Sequence, residues 1–115
     1  MYLTDTNESK KKLTNLYNEV CKGLFVAGTT LLKIEIDERF ITFRTKHRRT
    51  PQSLALESEV PVLKREVDFQ MSQIFKKRMK EILEQDLDLK IEVILRDYDY
   101  VTQWSITEVI LSENS

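Results

Sequence analysis

At 115 residues, with 41% apolar and 32% charged side chains, the chain is long enough for one domain with its own core and too apolar for a disordered segment. A formal net charge of -1 gives no global pull toward nucleic acid or an anionic membrane, and no apolar run approaches the ~18 residues of a membrane span. One cysteine, Cys21, excludes an intrachain disulfide, and with a single histidine a closed zinc site would need carboxylates or a second subunit.

The opening MYLTDTNESKKK lacks the apolar core of a secretory leader, so a reducing, cytoplasmic setting is expected, with residues 1–7 flexible. Asp5 followed by Glu8 has the spacing of a helix-capping pair. Beyond it Leu13, Leu16, Tyr17, Val20, Cys21, Leu24 and Phe25 recur at three and four residues, which predicts an amphipathic helix over about 9–24 ending near Gly23 or Gly28. LLKIEID alternates, with Leu32, Ile34 and Ile36 on one face. RFITFRT follows with Ile41 and Phe43 as its inward pair. The short separator around residues 37–39 makes these two strands an antiparallel hairpin.

Thr50 and Pro51 form a helix start, a capping hydroxyl followed by a proline at the first helical position, and Leu54 and Leu56 would anchor a short helix. Pro61 opens a long helix to about residue 85, with Leu63, Val67, Met71, Ile74, Phe75, Ile82 and Leu83 on its stripe. LKIEVIL places Ile91, Val93 and Leu95 inward. QWSITEVIL conflicts with itself, because Trp104, Ile106 and Ile110 share a face with Glu108, and a bulge or burial on both sides would resolve that.

These elements predict an α+β fold of a single domain over residues 1–115. It has two layers, the order α-β-β-α-β-β, and a mainly antiparallel four-stranded sheet with two major helices on one face. Phe40, Val109 and Leu111 fall opposite the inward positions, so the second sheet face is expected to be partly apolar and to favour a homodimer.

Two clusters stand out as candidate partner-binding residues. The first is the basic run Arg44, Lys46, His47, Arg48 and Arg49. It reads as a solvated strand edge, a site for an anion or an acidic protein partner, or a nucleic-acid contact. The last is disfavoured because no glycine-rich loop or aromatic row accompanies the charges. His47 has no sequence-adjacent carboxylate or nucleophile to work with. The second cluster is Asp97, Tyr98, Asp99 and Tyr100, which reads as a structural turn or an aromatic intermolecular contact. It lacks the ligands and the glycine of a calcium loop. No catalytic, cofactor or metal residues are assigned, since phosphate loops, nucleophile elbows and zinc-protease helices are all missing. An enzyme is therefore not the expected class.

The stretch LYNEVCKGLFVAGTTLLKIEIDERFITFRTKHRRTP, then LESE, then RDYDYVTQWSITEVIL resembles a small bacterial family labelled MpsC, after a sodium-translocating, membrane-potential-generating system. The landmarks are Thr50 with Pro51 and the turn of Asp97, Tyr98 and Asp99. The chain departs from the family at Val26, Ala27 and Gly28, where many members carry Gly-Lys-Gly or Gly-Arg-Gly. What the resemblance implies is an accessory or regulatory protein for a membrane ion or inorganic-carbon transport system. It would bind a transport complex peripherally through a protein partner and use no cofactor.

Overall fold

The computed structural model describes residues 3–24, 29–47, 51–99 and 101–113. Seven elements follow in order: α1 (Asn7–Leu24), β1 (Thr29–Ile36), β2 (Phe40–His47), α2 (Pro51–Glu59), α3 (Pro61–Leu87), β3 (Ile91–Tyr98) and β4 (Trp104–Leu111). They form a two-layer α+β fold. The sheet has the order β1-β2-β4-β3 and every pairing is antiparallel. α1 lies on β1, α3 lies on β3, and both pack on one face, whereas α2 packs on α3 alone.

The cap of α1 is Thr6 rather than Asp5: its hydroxyl accepts the Ser9 amide at 3.1 Å, and Asp5 instead pairs with Lys10. The α1 stripe is inward as its spacing requires, with Leu13, Leu16, Tyr17, Val20 and Cys21 buried. Phe25 and the turn around Gly28 lie outside the described residues. Pro51 opens α2, while its expected cap, Thr50, also lies outside them. α3 ends at Asp88, which takes the left-handed conformation with φ 53.

The register sets three rows of side chains under the helices. Ile36, Ile41, Val109 and Ile94 form the first, and Ile34, Phe43, Thr107 and Arg96 the second. Leu32, Thr45, Ser105 and Tyr98 form the third. Tyr17 crosses the second row, stacked on Phe43 at 5.1 Å and edge-on to Phe75 at 5.2 Å.

Three expectations need correction. On β3, Ile91 and Ile94 are inward, while Val93 and Leu95 are exposed. Ile91 pairs with Leu111 and Val93 with Ile110, so Glu92 is an extra residue that inverts the facing of everything after it. On β4, Val109 and Leu111 are buried rather than outward, because Val109 is held between Ile41 and Ile94. Trp104, Ile106 and Ile110 consequently face away from the helices. On α3, only the C-terminal part of the predicted stripe is fully covered. Phe75, Met79, Leu83 and Leu87 are buried, but Leu63 and Ile74 are exposed and Lys64 is buried in their place.

Candidate functional site

At the end of the sheet where β2 and β3 finish and β4 begins, the third row is polar apart from Leu32, and it joins one connected network. Thr45 Oγ1 lies within hydrogen-bond reach of the Tyr17 hydroxyl at 3.3 Å, His47 Nε2 at 3.0 Å and the Ser105 hydroxyl. Ser105 Oγ in turn lies 3.2 Å from His47 Nε2. Arg96, carried inward by the Glu92 bulge, approaches Nε2 at 3.5 Å and the Ser72 hydroxyl at 3.5 Å. Its guanidinium sits 4.4 Å over the Phe75 ring. Beyond the row, Lys64 is only 4% exposed. It pairs with Asp68 one turn along α3 at 2.5 and 2.6 Å, and lies over the Tyr98 ring that meets His47 edge-on.

The electrostatics follow from this packing. Guanidinium hydrogens can only be donated, so Nε2 of His47 is the acceptor and the imidazole is neutral. Burial first, and the Arg96 charge second, lower His47 from 6.5 to about 4. Burial likewise raises Tyr17 and pushes the Cys21 thiol up to about 11. Ser105 beside His47 has the residue types of a nucleophile and its base. The chemistry is opposed on two counts: Ser105 is 4% exposed, and Arg96 disfavours the imidazolium that general-base action would create. The network joins α1, the sheet and α3 and gives partners to the buried hydroxyls of Tyr17, Thr45 and Ser105, which would otherwise be costly to bury.

The basic run does not converge, because a strand sends alternate side chains to opposite faces. Arg44 and Lys46 point away from the helices. Arg44 pairs with Glu35 at 2.6 Å, and Lys46 lies 5.7 Å from the Trp104 ring centre. His47 points inward. Arg48 and Arg49 lie outside the described residues, as does Tyr100. Asp97 is outward, level with Ile106 and Arg44 across the sheet, and Tyr98 is inward. Asp99 makes a turn, accepting the Thr102 amide at 3.0 Å and the Thr102 hydroxyl at 2.5 Å. Those bonds hold its carboxyl below the usual range, the hydroxyl contributing first. Gln103 follows with φ 68 and accepts the His47 amide at 3.1 Å, so the basic run and the aspartate turn meet at one end of the sheet. Among the described residues, no three His, Cys, Asp or Glu side chains gather as a metal ion would need.

The opposite sheet face has a different character. Its apolar side chains are Leu31, Phe40, Val93, Leu95, Trp104 and Ile106, between 37% and 56% exposed, with Ile110 among them. No helix among the described residues packs on this face. The polar side chains are sorted across it. The β1 and β2 half carries Lys33, Arg44, Lys46 and Glu35, whereas the β4 and β3 half carries Glu108 and Asp97. Sequence reasoning missed Thr45, Ser72, Arg96 and Ser105. An arginine directly after the apolar run Val93, Ile94 and Leu95 was the one available signal, and it was obscured by the unseen bulge. No protein-family model, curated protein or solved structure matches this chain.

Proposed function

We propose that the protein is a small docking module that acts by binding rather than by chemistry, with the open sheet face as its contact surface. The observation that carries this reading is the apolar cluster on that face, centred on Trp104 and Ile106 in a central strand. A sheet face with this many exposed apolar side chains and no helix over it among the described residues marks an interaction surface more often than a solvated one. The polar network on the other side of the sheet supports the reading by making the platform rigid, since it ties β2, β3 and β4 to both major helices.

An accessory role at a membrane ion or inorganic-carbon transport system, which the MpsC resemblance implies, belongs to this proposal. So does a cytoplasmic position at the membrane through a protein partner. No helix among the described residues is long and apolar enough to cross a membrane. A photoreactive amino acid placed at position 106 in the native host tests the reading, with one at Lys80, exposed on α3, as the control. Discrete adducts at 106 and none at 80 are expected. No adduct of any kind at 106 would overturn it.

A further inference from the structure

We propose that the occupant of the open sheet face is a second copy of this chain, packed sheet to sheet about a two-fold axis that runs parallel to the strands between β2 and β4. The inference rests on the docking reading above and adds the partner and its geometry.

Charge chooses the partner. At the paired positions of this face the β1 and β2 half has three cations and one carboxylate, for +2, and the β4 and β3 half has two carboxylates, for -2, while the exposed carboxylate of the bulge residue Glu92 pairs with Arg39. Such a face is complementary to itself once it is turned over. Two in-plane axes allow two identical sheets to meet face to face. An axis perpendicular to the strands lays β1 on β1 and β3 on β3, so each half meets its own charge. An axis parallel to the strands lays β1 on β3 and β2 on β4, so each half meets the opposite charge.

The rows fit the second arrangement. Lys33, Arg44, Ile106 and Asp97 lie level across the sheet, so turning the face over sets Lys33 of one copy against Asp97 of the other. Phe40 and Ile110 are neighbours in another row and exchange places, so each meets the other across the interface. Lys46 and Trp104, already in contact within a chain, likewise meet across it. The central strands thereby set Phe40 against Ile110 and Trp104 against Lys46, while Arg44 meets Ile106 and Thr42 meets Glu108.

Size permits it. Four strands at about 4.8 Å and eight residues at about 3.3 Å make a face of on the order of 500 Å², or ~1,000 Å² for the pair, which reaches the lower bound for a specific interface. A competing surface is the apolar groove of about 840 Å³ where α3 begins, lined by Val60, Pro61, Val62, Leu63, Arg65 and Glu66. Its one cation and one carboxylate show no comparable sorting.

Light scattering across the micromolar range and the emission of Trp104, the one tryptophan in the chain, test the proposal together. A two-chain mass is expected, with Trp104 shifting to the blue and becoming shielded from acrylamide as the dimer forms. Ile106→Glu should raise the dissociation constant by about a hundredfold or more, since it would bury a carboxylate in the seam. Lys33→Glu and Asp97→Lys should each weaken the dimer by roughly three- to tenfold, and the double variant in one chain should restore it. Circular dichroism establishes that each variant is folded.

A dimer in which Trp104 stays exposed and Ile106→Glu changes nothing overturns the proposal in favour of the α3 groove. A dimer that Ile106→Glu breaks but the double variant fails to restore overturns the axis, and the proposal with it. A single-chain mass at every concentration also overturns the second copy. The docking reading is then judged by the adducts at position 106: another protein there preserves it, and none removes it.

Discussion

Acidification sets the neutral imidazole of His47 against its burial. In the fold it titrates at about 4, and in the unfolded chain near 6.5. Among the described residues, the charged groups packed near it include Arg96 from β3 and, across the Tyr98 ring, the Lys64–Asp68 pair from α3. Because the folded value is the lower one, protons bind the unfolded chain first. The stabilisation is therefore complete above the unfolded value and is lost as the pH falls toward about 4. At about 1.4 kcal/mol per pH unit, the full difference is on the order of 3 kcal/mol, and about 2 kcal/mol of it is gone by about pH 5. Urea unfolding of the native chain and of His47→Gln, at one protein concentration, isolates this from the carboxylates, which the two proteins share. Between about pH 7.5 and about pH 5 the native midpoint should fall by roughly 1 M more than that of the variant. Parallel pH profiles would show that the imidazole is solvated, and would refute the buried network around Nε2.

Arg96→Met should let the His47 titration, followed by NMR, rise toward its ordinary value and should cost about 2 kcal/mol, because Ser72 and His47 lose their shared donor. An unmoved titration would show that the guanidinium does not act on the ring. Cys21, with its thiol pushed up to about 11, should react with a disulfide reagent at neutral pH only as fast as the protein opens, and equal rates in native and denatured protein would contradict its burial. Deleting Glu92 should lower the melting temperature by no more than about 4 °C, since it removes the residue the ladder skips and leaves every pairing from Val93 onward in place. Deleting Leu95 should abolish folding, because it turns Arg96 and Tyr98 out to solvent.

The order of helices and strands was legible because α1 and β1 each carry a clean period, one stripe around Tyr17 and one alternation through Ile34 and Ile36, and β2 a looser one through Ile41 and Phe43. What was hidden depends on two features with no local signature. A one-residue bulge at Glu92 is hidden in LKIEVIL, since the segment alternates up to Glu92 and the apolar run Val93, Ile94 and Leu95 after it fits either facing, yet the bulge decides whether Arg96 faces water or the core. β4 presents apolar residues on both faces, so alternation alone cannot orient it. Its inward side is chosen by contact with Ile41 and Ile94, residues far away in sequence. The two features act together. The bulge brings Arg96 to the face where β4 sends Ser105, and β2 brings Thr45 and His47 beside them. The same settlement leaves Trp104, Ile106 and Ile110 outward, joined by Val93 and Leu95, which the bulge displaced. The buried network and the open apolar sheet face are thus two consequences of one register.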